Sequence, residues 1–372
     1  MKIMGAQILN GGQLICGKDI VIENGIITDV CDHVPFEDGM DLAGMYLAPG
    51  FIDMHCHGGD GYEFIDATPE AFHKACQIHS THGTRVLYPT ISATDFETLA
   101  KCLKLAREIK NDCGLEIPGL HLEGPYLSPE MCGAQDTTYM HAPDPAEYIP
   151  LLDEYSDVIA RWTYAPEYDD GSFLRALNQK GVIAAVGHSN ATYESMLPAY
   201  ENNCRIATHL YSSMSTITRH GGFRKLGVIE CAYLFDEMYT EAIGDCCHIP
   251  PELMRLIVKI KSPDRVCLIT DGIRFAGMED PDKLQGGTER IPYIVEDGVA
   301  KLADRSGFAG SIVTTEQILK RMAAAGIELP LIVKMLTETP AKAMGLERHG
   351  CAAPGFVANF TVFDKDLNVV NI

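Results

Sequence analysis

Eight short β-branched or apolar runs, most of them separated by segments with helical spacing, restrict the fold of this chain more than any other feature. They occupy residues 51–57, 84–90, 119–123, 161–167, 182–188, 205–210, 239–245 and 265–271. Between them, DFETLAKCLKLAREIKNDCG (95–114) repeats apolar residues three and four apart and stops at a glycine. PPELMRLIVKIK (250–261) opens on prolines that suit a first helical turn. Strand–helix alternation favours a parallel sheet, and eight strands is the number that a closed (β/α)₈, TIM-like barrel requires. Periodicity alone does not separate a closed sheet from an open, doubly wound one, so both architectures stand at this point. A length of 372 residues suits a barrel of about 250 residues with a smaller unit attached.

That smaller unit is expected at the ends. Residues 2–48 lack helical periodicity and contain KDIVIENGIITDV, where Asn24-Gly25 is a strong hairpin signal. The last residues, ANFTVFDKDLNVVNI, are again β-type, and neither piece can bury a core by itself. We therefore predict a small β-sandwich from residues 1–48 plus 346–372, and a barrel over residues 49–345.

Charge narrows the partners. Thirty lysines and arginines against 51 aspartates and glutamates leave a formal net charge of −21, a field that repels nucleic acid and anionic membranes. An anionic substrate then needs dedicated local cations. The 46% apolar content supports a large core, yet no apolar stretch approaches the roughly 20 residues that span a bilayer. The opening MKIMGAQILNGG runs straight into β-type sequence without the marks of a leader. Thirteen cysteines without a dense short-spaced framework read as reduced thiols. Together these features predict a cytoplasmic location, with the adjacent Cys246 and Cys247 the pair that a redox or metal role would use.

His, Glu and Asp recur at the C-terminal ends of the predicted strands, the edge where barrel enzymes build their active sites. His55 and His57 stand two apart at the end of the first run, so a period of two puts both imidazoles on one side. Glu123 ends the third run, His188 the fifth, His209 lies near the end of the sixth and Asp271 ends the eighth. Any one histidine taken alone reads more readily as a hydrogen-bonded core residue; the joint placement points to a site. Nitrogen and oxygen donors in this mixture suit Zn²⁺ or Fe²⁺ far better than Ca²⁺ or Mg²⁺.

The motifs in order carry a resemblance. PGFIDMHCHG resembles the first-strand signature of the amidohydrolase superfamily; HLEGPYLSPEMCGAQ, GHSNATY, THLYSSM and ITDG resemble successive motifs of the N-acetylglucosamine-6-phosphate deacetylase family. GFAGS, TPAKAMGL and APGFVANFTVFD resemble that family's final barrel segment and its return to the β unit. The likeness extends from about residue 47 to the end.

It implies a homodimeric deacetylase that removes acetate from an N-acetylated amino-sugar phosphate. Glu123, His188 and His209 are then expected to bind the main metal, and His55 with His57 matches the branch able to hold a second ion, so that one or two Zn or Fe ions serve each subunit. Asp271 is expected to take a proton from water and hand it to the departing nitrogen. His248 is expected to help stabilise the oxyanion, and Gln135 to contact substrate.

Two departures bear on the substrate. After the sixth-strand histidine the family carries an asparagine-alanine pair, where this chain has Ser212 and Ser213. The following stretch, STITRHGGFRKLG, is about four residues longer than usual. Its Arg219, His220 and Arg224 are the candidate phosphate ligands, which the family often shares across a dimer interface. The chain also ends soon after Asn368, earlier than the family's closing strand leads one to expect. The resulting expectation is hydrolysis of N-acetylglucosamine 6-phosphate to glucosamine 6-phosphate and acetate. Two alternatives remain: an amidohydrolase for another N-acylated amino sugar or N-acyl amino acid, and an inactive sugar- or protein-binding barrel.

Overall fold

The computed structural model describes residues 1–34, 38–279, 281, 284–288 and 290–371. All eight predicted runs become parallel strands of one sheet: β1 (Phe51–Cys56), β2 (Thr84–Ser92), β3 (Leu120–Glu123), β4 (Ile159–Tyr164), β5 (Ile183–Val186), β6 (Ile206–Ala207), β7 (Tyr239–Ile243) and β8 (Val266–Ile269). Neighbours in the sheet are neighbours in sequence. The first and last strands meet at their C-terminal ends, where Asp271 N–H donates to His55 O at 2.9 Å and His57 N–H to Gly272 O at 2.8 Å. The sheet therefore closes into a barrel, and the doubly wound alternative is excluded.

A helix follows each strand: α1 (Pro69–Thr81), α2 (Phe96–Ile109), α3 (Pro145–Tyr155), α4 (Ser172–Lys180), α5 (Tyr193–Glu201), α6 (Val228–Leu234), α7 (Pro251–Lys261) and α8 (Thr315–Ala324). Their limits follow local chemistry. The Asp95 side chain accepts the Thr98 N–H at 2.8 Å and starts α2, while Pro251 occupies the first turn of α7, where no amide partner is needed.

Alternation divides the strand side chains between two layers. Leu87, Leu122, Trp162, Val186, Ala242 and Leu268 pack with the surrounding helices, whereas Val86, Tyr88, Ala185, Ile206, Ile243, Cys267 and Ile269 form a separate cluster. Ile52 and Met54 join the second cluster. Simple alternation would then turn His55 the other way. The pairing Leu87↔Asp53 followed by Pro89↔Cys56 shows the reason it does not: β1 carries one extra residue there, a bulge that re-aims His55 toward the mouth.

Two further sheets pack together, the first from N-terminal strands alone and the second from strands of both termini. One orders Ile26–Asp32, Lys18–Glu23, Lys2–Met4 and Met40–Asp41; the other orders Val369–Val370, Phe360–Phe363, Tyr46–Pro49, Gln7–Asn10 and Gln13–Ile15. Ile3, Ile8, Ile20, Ile27, Leu47 and Val362 form a core between them. Asn24 and Gly25 both have positive φ, 51° and 74°, as a tight hairpin of this hand requires. A closing strand does form, as the two residues Val369–Val370 paired with Phe360–Phe363.

A further sheet was not anticipated. Between β8 and α8 the chain forms a three-stranded antiparallel sheet, Gln285–Gly287, Pro292–Glu296 and Val299–Leu302, which packs through Tyr293, Val295 and Ala300 on Ile273 and Phe275. Among the described residues no helix is long and apolar enough to cross a membrane, and none of the thirteen cysteines is in a disulfide.

Candidate metal centre and active site

Two groups of donors face each other at the C-terminal mouth. Glu123 ends β3, and His188 and His209 each lie two residues beyond β5 and β6. Glu123 Oε1 stands 2.8 Å from His209 Nε2 and 3.1 Å from His188 Nε2, and those two nitrogens are 3.2 Å apart. In the second group, His55 and His57 bring their Nε2 atoms within 3.3 Å of each other, and each lies 3.3 Å from Asp271 Oδ1. Glu123 spans both groups, its Oε2 also lying 3.4 Å from His57 Nε2. Within each group the donor atoms all fall within 4.8 Å of one another.

The strands stop short of these ligands rather than running on to positions 188 and 271 as expected. His188, His209 and Asp271 adopt left-handed backbone, with φ of 45°, 29° and 48°. That conformation breaks the ladder, and side chains held in it at a cost of about 1–3 kcal/mol each are a recurring feature of functional sites.

The donor set fits a divalent transition metal. Imidazole nitrogens and carboxylate oxygens are its usual ligands, and the far side of most rings is already committed. His188 Nδ1 lies 2.8 Å from Met131 O, His57 Nδ1 3.1 Å from Ser92 Oγ, and His55 Nδ1 3.0 Å from Glu241 Oε2. Each Nε2 is thereby left toward the other donors.

The donors perturb one another. Burial opposes charge on His57, but Asp271 and Glu123 outweigh it and raise its pKa to about 10. Burial likewise opposes charge on His209, and Glu123 foremost raises it to about 9. Burial by itself would raise the Asp271 carboxyl; His55 and His57 instead hold it at about 2. Glu123 is held well below the usual carboxylate range against the effect of its burial, by His188 and His55.

The donors open onto a cavity of ≈ 920 Å³, which Gln135, Ser212, Ser213 and His248 also line. Gln135 Nε2 donates to Glu123 Oε2 at 2.8 Å while its Oε1 accepts the Ala93 N–H at 2.8 Å, so this side chain braces a donor as well as facing the cavity. His248 Nδ1 lies 2.6 Å from Asp245 Oδ2, which directs the other ring nitrogen away from that carboxylate. Arg219, His220 and Arg224 are not brought to this cavity. They sit on an exposed hairpin, Thr218–His220 paired with Phe223–Lys225, where the sequence suggested a long loop.

Among the lining residues that escaped the sequence-based reading are Glu63, Tyr293 and Arg290. Glu63 accepts from Tyr293 Oη at 3.2 Å and from Arg274 at 3.0 Å, and Arg290 reaches Thr138 Oγ1 at 3.0 Å. Glu63 follows His57 too closely in sequence to register as a separate element. Tyr293 lies in the unforeseen sheet and Arg290 between its first two strands, where the β-type run carries no metal-ligand spacing.

Residues 46–371 match the model of the amidohydrolase family. An N-acetylglucosamine-6-phosphate deacetylase of Haemophilus influenzae is 33% identical over 94% of this chain and 92% of its own length; one of Lysinibacillus sphaericus is 31% identical over 94% and 90%. The chain belongs to the amidohydrolase family, among its N-acetylglucosamine-6-phosphate deacetylases. A solved N-acetyl-D-glucosamine-6-phosphate deacetylase mutant from Mycobacterium smegmatis, in complex with N-acetyl-D-glucosamine-6-phosphate, superposes on this family member with a TM-score of 0.89. The two are 32% identical, covering 99% of this chain and 96% of that one. An N-acetylgalactosamine-6-phosphate deacetylase of a Shewanella strain is also similar, at 29% identity over 99% of this chain and 93% of its own length.

Proposed function

We propose that this amidohydrolase removes the acetyl group of N-acetylglucosamine 6-phosphate, giving glucosamine 6-phosphate and acetate. The observation that carries the reading is the pair of donor groups at the barrel mouth, joined by Glu123 and open to a cavity large enough for a sugar phosphate. Glu123, His188 and His209 would hold one divalent ion, zinc or ferrous iron, and His55 and His57, with Asp271 beside them, a second. Such a cation supplies Lewis acidity, lowering the pKa of water toward about 7 and polarising a carbonyl oxygen.

The chain's own groups do the rest. Asp271, ionised at neutral pH, accepts the proton released as water attacks the amide carbon and passes it to the leaving amine. His248, oriented by Asp245, presents a ring nitrogen where the carbonyl oxygen gains charge. Ser212 and Ser213 offer hydroxyls to the sugar, and Gln135 keeps Glu123 in place. Because Arg219, His220 and Arg224 stand away from their own cavity, we assign them to the phosphate of a partner subunit's substrate in a homodimer. A cytoplasmic location agrees with the free cysteines.

A second reading keeps the reaction and changes the sugar to another N-acylated amino sugar. The serine pair and the outward-facing hairpin favour it. Acetate release from N-acetylglucosamine 6-phosphate, its galacto epimer and the unphosphorylated sugar, with zinc- and iron-loaded protein, separates the two. The first reading requires selective release from the phosphorylated gluco compound and loss of that activity in Glu123→Gln and His209→Asn. Preference for neutral sugars removes it.

A further inference from the structure

Below the donor groups the barrel interior holds an ion pair that amide hydrolysis does not use directly. Arg161 on β4 and Glu241 on β7 are both fully buried and hydrogen-bonded to each other through Glu241 Oε1. Arg161 also donates to Met54 O at 3.0 Å and to His121 Nδ1 at 2.8 Å, and His121 Nε2 lies 2.7 Å from Thr163 Oγ1. Burying two charges is expensive, and apolar residues of similar volume commonly give equal or greater stability. The placement of this pair therefore has to be explained by something other than stability.

Its contacts supply the explanation. Glu241 Oε2 accepts the His55 ring N–H at 3.0 Å and the His209 backbone N–H at 3.1 Å. One oxygen thus touches a member of each donor group: the ring of His55, turned inward by the β1 bulge, and the main chain of His209, in left-handed conformation. A carboxylate only accepts, so it fixes the hydrogen of His55 on Nδ1 and leaves the Nε2 lone pair facing His57 and Asp271. Arg161 anchors the carboxylate and, through Met54 O, the residue before His55.

We infer that Glu241, braced by Arg161, is a positioning residue that makes His55 a metal ligand and thereby sets the capacity of the site for a second ion. The inference rests on the two-ion form of the functional reading above. Zinc uptake by metal-free protein, followed by titration and elemental analysis, tests it in the wild type, Glu241→Gln, His55→Asn and the double variant Glu241→Leu/Arg161→Met. The wild type is expected to take two equivalents. Both Glu241 variants are expected to bind one of these about 10–100-fold more weakly, as His55→Asn does, while remaining folded by circular dichroism.

The double variant is decisive, because it removes both charges without leaving either unpaired. Two tight equivalents in that variant show the pair to be structural only and overturn the inference, as does a wild type that binds a single ion. Should Glu241→Gln fail to fold, the double variant still decides. Acetate release is scored separately: two ions bound with no acetate formed sinks the functional reading and leaves the role of Glu241 intact.

Discussion

At Asp271 a buried carboxylate oxygen lies 3.3 Å from two imidazole nitrogens, on a backbone whose φ is 48°. Local sequence marks it only as the aspartate of ITDG; its low pKa arises from His55 and His57, more than 200 positions earlier. Proton transfer by a positioned side chain contributes about 10²–10⁴-fold to rate, so Asp271→Asn is expected to lower kcat for acetate release within that range. A decrease under threefold, with the fold intact by circular dichroism, would remove Asp271 from the role. Arg224→Ala provides a second check at this scale. It is expected to raise KM for the phosphorylated sugar at least tenfold and to leave KM for the unphosphorylated sugar unchanged; equal effects on both would place the phosphate elsewhere.

The turn after β1 shows how an element carries its ligand. Gly58 pairs with Glu63 and Gly59 with Tyr62, and a Cβ on Gly58 would stand 2.1 Å from Tyr62 O, far inside contact distance. His57 is the preceding residue and has to move with the turn. Gly58→Ala is expected to cost about 1–3 kcal/mol of stability, in the range of overpacked cores, and to weaken metal uptake. Gly61→Ala is the control: nothing lies within 4 Å of its Cβ, and only its φ of 90° is unfavourable. Chemical denaturation of the two variants distinguishes crowding from backbone strain. The strands themselves were legible because each is a short apolar run with a helix behind it. The bulge in β1 and the sheet at 285–302 were not, since a one-residue offset and a β insertion leave no periodic mark in a single chain.

For the whole molecule, the two donor groups together hold two carboxylates and four histidines at one mouth, which ties stability to metal and to pH. A cation bound only by the folded state adds stability by mass action, so chelation is expected to lower the melting temperature as well as to abolish activity. In the metal-free protein His57 and His209 have pKa values of about 10 and about 9 against an ordinary 6.5. The folded state then binds more protons than the unfolded state between those limits. Their contribution is complete below about pH 6.5 and is lost as pH rises through 9 to 10. Melting curves of chelated protein at pH 6 and pH 10 should show a drop that His57→Asn reduces; a drop of the same size in the variant would assign the effect to other groups.

The sequence by itself determined that this chain alternates strand and helix, that both termini are β-type, and that metal-binding residue types cluster at strand ends. Those signals are local: apolar spacing, turn residues and short motifs lie within a few positions of one another. Tertiary structure decided the rest. It closed β1 onto β8, re-aimed His55, joined the two donor groups through Glu123, and placed Arg161 and Glu241 beneath them. It also turned Arg219, His220 and Arg224 away from the cavity of their own chain. Each of these depends on which side chains meet across the barrel, and residues 80 or more apart in sequence, such as Arg161 and Glu241, leave no record of that meeting until the sheet has closed.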